Sequence, residues 1–149
     1  MENKMKKIKM VLGSVLIISF LFWGSSAFTD ELTWQNSREA AFAKAKSENK
    51  KVLLFGGRDA CGNCRYMRTQ VFESIKPPVK ALLKKHYVLW FSDVDKGKEW
   101  HRYARGMNRI DLPLICIIDP TSKKTYEDRT TGSQHSPIFH SRLLKYNKK

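Results

Sequence analysis

Two of the three cysteines of this 149-residue chain are Cys61 and Cys64, with Gly62-Asn63 between them. Side chains three positions apart face each other across one helical turn, so a pair at this spacing can open and close as a disulfide without unfolding anything. As a structural staple it would do little, because in the chain-entropy account the gain from a disulfide grows with the loop it closes. A zinc site would need a second pair, and only Cys116 and the scattered His86, His101, His135 and His140 remain. Attachment of a c-type haem would need His directly after Cys64, where Arg65 stands. Thiol–disulfide exchange is the chemistry that suits the pair, with a static disulfide as the bland alternative.

The flanking residues place the pair. Lys51-Val52-Leu53-Leu54-Phe55 is a short apolar run that reads as a buried strand. Arg65 to Glu73, with Tyr66, Met67 and Val71 apolar among polar residues, reads as a helix. The cysteines thus sit where a strand hands over to a helix N-terminus, among unpaired N–H groups and the positive end of the helix dipole. A thiolate there is favoured, and comparable sites bring the free thiol value of ~8.5 down to between ~3.5 and ~7.5. Arg58, Arg65 and Arg68 add to the effect and Asp59 opposes it. Cys61, first in the pair and nearest the helix end, is the expected nucleophile. Cys64, one turn in, is the expected resolving thiol. Cys116 falls in the apolar run Leu114-Ile115-Cys116-Ile117-Ile118 and reads as an inert core thiol.

Several marks together resemble the thioredoxin superfamily: Trp34, the Lys51–Leu54 strand, the stretch Cys61 to Met67, Leu112-Pro113 followed by Leu114–Ile118, and Gly132 before the last helix. The nearer resemblance is to the branch with a tryptophan-led helix and a Cys-x-x-Cys-Arg/Lys-x-Met site, and it runs from Trp34 to Tyr146. It implies an α/β thioredoxin-like fold, a central mixed sheet of about four strands with helices on both faces. It also implies a thiol–disulfide oxidoreductase with Cys61 and Cys64 catalytic, no bound cofactor and no metal. Pro113 would be the cis-proline that faces the disulfide and offers a backbone edge to an extended peptide, and Leu112 would help set partner choice. The implied partners are protein thiol or disulfide clients and a redox protein that donates or accepts electrons, with the chain acting as a monomer. Three positions depart from the family pattern: Phe55 stands where thioredoxin's buried acid falls, Ala60 replaces the usual tryptophan, and Gly62-Asn63 replaces Gly-Pro. The missing acid is the group that helps move the resolving cysteine's proton, so fast general disulfide reduction does not follow. A non-catalytic binding or assembly module on the same fold is the rival reading.

Residues 1–27 read as a signal peptide, with Lys4, Lys6, Lys7 and Lys9 before the apolar Met10–Trp23 and small residues at Ser25-Ser26-Ala27. An uncleaved anchor is the alternative. Either way the expected location is periplasmic or otherwise extracytoplasmic, with residues 28–149 as one domain. The chain carries a net charge of +14, and its first 27 residues hold four lysines and one glutamate, which leaves +11 on the domain. That surplus points to acidic protein partners, an anionic membrane surface, or simply a well-solvated surface. Nucleic acid is not expected, since the basic residues are scattered rather than clustered with aromatics.

Along the domain, Asn36 with Glu39 has capping-box spacing before a helix to about Glu48, with Ala40, Phe42, Ala43 and Ala45 apolar and Trp34 over its start. Gly56-Gly57 reads as a turn into the site. Lys76-Pro77-Pro78 ends the active-site helix, and Val79–Lys85 reads as a short helix. Tyr87–Phe91 is a strand, closed by turn residues Asp93 and Asp95. Glu99–Met107 reads as a helix, Lys124–Arg129 as an edge strand, and Ser136-Pro137 as the start of a last helix with Ile138, Phe139, Leu143 and Leu144 inward. After the first helix the order is β-α-β-α-β-β-α.

Overall fold

The computed structural model describes residues 30–147. The proposed signal segment and its cleavage position lie outside them. Among the described residues no helix is long and apolar enough to cross a membrane.

The elements run β1 (Trp34–Gln35), α1 (Arg38–Ser47), β2 (Lys51–Gly57), α2 (Gly62–Tyr66), α3 (Val79–His86), β3 (Tyr87–Asp93), α4 (His101–Ala104), β4 (Leu114–Ile118), β5 (Asp128–Thr131) and α5 (Ser136–Asn147). The sheet order is β1-β3-β2-β4-β5. β2 is parallel to β3 and antiparallel to β4, so the sheet is mixed. This is the thioredoxin-like α/β fold expected from the resemblance, with the two-residue β1 as a fifth strand.

Strand side chains alternate between two faces. Leu53, Phe55, Leu89, Ile115 and Ile117 join one core with Cys64, Met67, Phe72, Val79, Leu83, Phe139 and Leu143. Val52, Leu54, Val88, Trp90, Leu114, Cys116 and Ile118 join the other with Ala41, Ala45, Tyr103 and Ala104. The cysteine pair therefore belongs to the layer of α2, α3 and α5, while α1 and α4 cover the opposite face.

Several local expectations shift. The N-cap of α1 is Ser37, whose hydroxyl accepts the Ala40 N–H at 3.2 Å, rather than Asn36. Its buried residues are Ala41 and Ala45, one turn apart, while Ala40 and Ala43 are exposed. Trp34 does not cap that helix. It packs on the other face, 5.8 Å from both the Phe55 and the Phe72 rings. Gly56-Gly57 continues β2 instead of turning, because both residues pair with β3 at Ser92 and Asp93. The expected Glu99–Met107 helix shrinks to α4, although Trp100 and Met107 still pack against the core as half-buried neighbours. β5 lies a few residues later than expected, at Asp128–Thr131, in register with Leu114–Ile117. On α5 only Phe139 and Leu143 are buried. Ile138 is 60% exposed and Leu144 42%. A single stripe of four-residue spacing suffices for a helix that packs chiefly on α3.

Candidate functional site

β2 carries the chain to Gly57, and an exposed loop, Arg58-Asp59-Ala60, leads to Cys61. Cys61 is the N-cap of α2: its backbone is extended, and its Sγ accepts the Cys64 N–H at 3.1 Å. The sulfur of Cys61 therefore already rests on one of the N–H groups that a helix start leaves without a carbonyl partner. Cys64 lies inside the first turn and is fully buried, whereas Cys61 is half-exposed. The two are joined as a disulfide with their Cα atoms 5.2 Å apart. One sulfur is reachable and the other shielded, as expected from position alone.

The helix after the pair is not regular. α2 gives way at once to a π-helical turn over Met67–Val71, closed by the Phe72 N–H on the Met67 carbonyl at 2.9 Å. Met67, Val71 and Phe72 are all fully buried. The single helix expected over Arg65–Glu73 is thus two short turns of different winding.

Gly57 explains the closeness of strand and pair. A Cβ on it would lie 2.9 Å from Phe55 Cε1 and 3.0 Å from Cys64 Sγ, so only hydrogen fits. Phe55, at the position where the family's acid would stand, is fully buried in a ring cluster with Trp34, Phe72 and Phe91. No carboxylate is buried among the described residues, and Asp128, which lies opposite Ile117 on this face of the sheet, is paired with Arg142 of α5.

Leu112–Pro113 is cis. Pro113 is buried and immediately precedes β4, whose Leu114 sits opposite Gly56 of β2. That register brings the proline loop to the same end of the sheet as the cysteines. Leu112 is half-buried and packs against the same cluster as Cys61. Gly132, at φ +76, donates its N–H to the carbonyls of both Asp111 (2.7 Å) and Pro113 (3.0 Å), which ties the proline loop to the end of β5. A side chain rarely adopts that conformation, so glycine is required there. Leu112 itself makes no backbone hydrogen bond among the described residues. Cys61, Leu112 and Gly132 line one open groove of about 550 Å³ together with Arg58, Asn63 and Ile110.

Other neighbours of the site gave no signal in the sequence. The loop before α5 docks on the active-site helix: the Ser133 hydroxyl reaches Asn63 Oδ1 at 3.4 Å, the Gln134 N–H reaches Met67 Sδ at 3.3 Å, and Tyr66 OH meets His135 Nδ1 at 3.2 Å. These contacts span some 70 positions, beyond the reach of any local pattern. The arginines expected to favour a thiolate are partly committed elsewhere. Arg58 pairs with Asp95 and Arg68 with Asp59, each at 3.2 Å. Asp93 and Asp95 serve the turn after β3, where the Asp95 N–H donates to Asp93 Oδ1.

Cys116 is the remaining cysteine. It points to the face opposite the pair, is fully buried, and its thiol is pushed up to about 12 by burial. Such a thiol stays protonated and unreactive at neutral pH.

Solved structures share this architecture. A thioredoxin from Thermus thermophilus is 23% identical, with 76% of this chain and 85% of that one covered at a TM-score of 0.62. A thioredoxin from Trichomonas vaginalis is 19% identical over 79% and 99% of the two chains, at 0.57. Poplar thioredoxin h is 16% identical over 78% and 96%, at 0.55. At these identities the likeness speaks for the fold. Among curated proteins none matches the sequence. A family model described as thioredoxin-like matches residues 33–120, more than half of the chain, from β1 through β4, and takes in both cysteines and the proline loop. With the Cys-x-x-Cys pair at disulfide distance on that scaffold, the chain belongs to the thioredoxin-like family.

Proposed function

We propose that the protein is an exported thiol–disulfide oxidoreductase that exchanges disulfides with protein clients through Cys61 and Cys64. The observation that carries this reading is the asymmetry of the pair: Cys61 half-exposed at the helix N-cap, Cys64 fully buried one turn in. In the reducing direction the Cys61 thiolate attacks a client disulfide. A mixed disulfide forms and one client sulfur leaves as a thiolate. The Cys64 thiolate then attacks Cys61 Sγ, closes the observed disulfide and releases the second client thiolate, while the Cys64 proton passes to a departing sulfur or to water. Two electrons move from the pair to the client, and a partner redox protein restores them. In the oxidising direction the same steps run backwards.

The groove between Cys61 and Leu112 gives the client a place to lie. Its extended backbone meets the free N–H and C=O of Leu112, and the apolar Ile110, Leu112 and Ala60 receive side chains next to the reacting sulfur. The basic N-terminal stretch followed by an apolar core supports delivery outside the cytoplasm. The chain acts on clients as a monomer.

The test is a trapping experiment. Cys64→Ser leaves an attacking thiol with no means of release, so mixed disulfides with clients accumulate on a non-reducing gel after acid quenching. Cys61→Ser traps almost nothing, because the buried thiol does not reach a partner. More trapping by Cys61→Ser would reverse the two roles. Absence of trapping in both, with the fold intact, would favour a binding module.

A further inference from the structure

On the face of the sheet opposite the cysteine pair, α1, α4 and the loop after β4 enclose a second groove of about 280 Å³. Its lining holds five cationic side chains, Arg38, Lys46, Arg102, Lys123 and Lys124, against one carboxylate, Asp119. That carboxylate is already committed, since it accepts the Thr121 N–H at 2.8 Å and the Thr121 hydroxyl at 2.6 Å. None of the five cationic side chains forms an ion pair among the described residues, whereas Lys44, Lys50, Lys51, Lys80, Lys96 and Arg142 elsewhere do; the Arg38 backbone N–H donates to Glu99 Oε2 at 3.4 Å.

The groove is built rather than incidental. Arg38, Phe42 and Lys46 lie four residues apart along one stripe of α1. The Arg38 guanidinium stacks 4.2 Å from the Phe42 ring centroid, and its Nε donates to Tyr103 OH at 3.2 Å. It is therefore held in one orientation, which lowers the cost of engaging a carboxylate with its remaining N–H groups. The apolar atoms, from Phe42, Tyr103, Ile118 and Pro120, form the floor, and Tyr103 and Ile118 are buried.

We propose that this groove docks an extended acidic segment of a partner protein. Arg38 and Lys46 are eight residues apart, about 12 Å along the helix axis. In an extended peptide, acidic side chains four residues apart lie about 13 Å from each other on one side of the strand. The residue midway between them points the same way and meets Phe42. The recognised pattern is thus acidic–x–apolar–x–acidic. A bilayer surface is a poorer fit, because the apolar residues form the floor of a concavity instead of standing out as inserted anchors. Ile118, at the groove, and Leu114, beside the redox end of the sheet, are four residues apart, about 13 Å of strand. A docked partner therefore leaves Cys61 open, and the proposal does not depend on the redox reading.

The probe is a fluorescein-labelled peptide containing Glu-Ser-Leu-Ser-Glu, titrated with the full chain at low and at near-physiological salt and followed by anisotropy. The comparison variants are Lys46→Glu/Lys124→Glu in the groove and Lys85→Glu/Lys145→Glu away from it, matched in net charge. The expected result is binding that weakens about 10-fold or more in the groove variant, weakens further with salt, and is kept in the control variant. Equal loss in both variants would reduce the effect to net charge and overturn the proposal, as would no binding at all. Phosphatidylserine vesicles that bind with the same variant dependence, while the peptide does not, would overturn the acidic-peptide occupant. Disulfide exchange by the groove variant should match that of the unaltered protein, so failure here and failure of the redox reading are read out separately.

Discussion

Gly57→Ala places a methyl group between the redox pair and the core that supports it. The new Cβ would lie 2.9 Å from Phe55 Cε1 and 3.0 Å from Cys64 Sγ, where relaxed contacts are about 3.5–4.0 Å. Something must move by about half an ångström or more. The Phe55 ring has little room, with Trp34, Phe72 and Phe91 ring centroids at 5.8, 5.4 and 6.2 Å. Cys64 Sγ is fixed on its other side by the bond to Cys61. Overpacking of this kind costs about 1–3 kcal/mol, and replacing a strand glycine by alanine returns about 0.5–1 kcal/mol. The net expectation for the oxidised protein is a loss of about 1–2 kcal/mol.

The reduced protein should lose less. With the disulfide open, the Cys64 thiol can rotate away from the methyl, and one of the two clashes is relieved. If half the gross cost disappears, the oxidised form is disfavoured relative to the reduced by about 1 kcal/mol. For a two-electron couple about 1.4 kcal/mol corresponds to 30 mV, so the reduction potential should rise by roughly 20 mV. The assay is urea unfolding of both redox forms of Gly57→Ala and of the unaltered protein, together with equilibration of each against glutathione. Equal destabilisation of the two forms with an unchanged potential would refute the claim that Gly57 sets the approach of the strand to Cys64. An unchanged stability in both forms would refute the packing argument altogether.

Further expectations concern the two other thiols. In a Cys64→Ser background, Cys61 should be alkylated with a pH midpoint below the ~8.5 of a free thiol, because its sulfur rests on a helix-start N–H. A midpoint at or above that value, measured by alkylation rate against pH, would remove the helix-end argument. Cys116 has the opposite behaviour. Burial raises its thiol in the folded state from 9.0 to about 12, so the folded protein keeps a proton that the unfolded chain gives up. Its contribution to stability is complete below pH 9 and declines as pH rises from there toward 12, by at most about 1.4 kcal/mol per unit. Cys116→Ala should remove that component, so the stability difference between the two proteins should shrink from pH 8 to pH 10.5 in denaturant titrations. A constant difference would contradict the burial effect.

The parts of this fold legible in the sequence were those fixed by local chemistry. Leu114–Ile118 announces a strand covered on both faces by being apolar throughout, and its bounds are those observed. The Cys61-x-x-Cys64 spacing, the apolar run before it and the proline 49 positions after Cys64 placed the site. What stayed hidden depends on partners distant in sequence. Gly56-Gly57 reads locally as a turn, and only pairing with Ser92 and Asp93 makes it strand. Trp34 reads as the lid of a nearby helix, but pairing with Leu89 turns its ring to the other face, onto Phe55 and Phe72. Ile138 and Leu144 look like core by residue type, yet α5, packed chiefly on α3, buries only the stripe of Phe139 and Leu143 and leaves them outside. The π-helical turn at Met67–Val71 likewise answers to the core it faces, not to its own sequence.

The replacement of the family's buried acid by Phe55 has a consequence for the proposed exchange. Cys64 must give up a proton before it attacks the mixed disulfide, and it is fully buried with Phe55, Met67, Phe72 and their neighbours; no carboxylate is buried among the described residues, and Asp128 on that face is paired with Arg142. An acid at position 55 would take the proton internally. Phe55 instead strengthens the packing behind the pair, where a buried phenylalanine contributes about 1.5–3 kcal/mol by area and its edge-to-face contacts add to that. The proton then has two exits, the client thiolate released in the first step or water admitted through the groove at Cys61. Both are available only while a client occupies the groove or the helix end loosens. In the proposed exchange the loss of the Cys64 proton depends on these exits, whereas a low-pKa client thiol, the better leaving group, departs faster once Cys64 attacks.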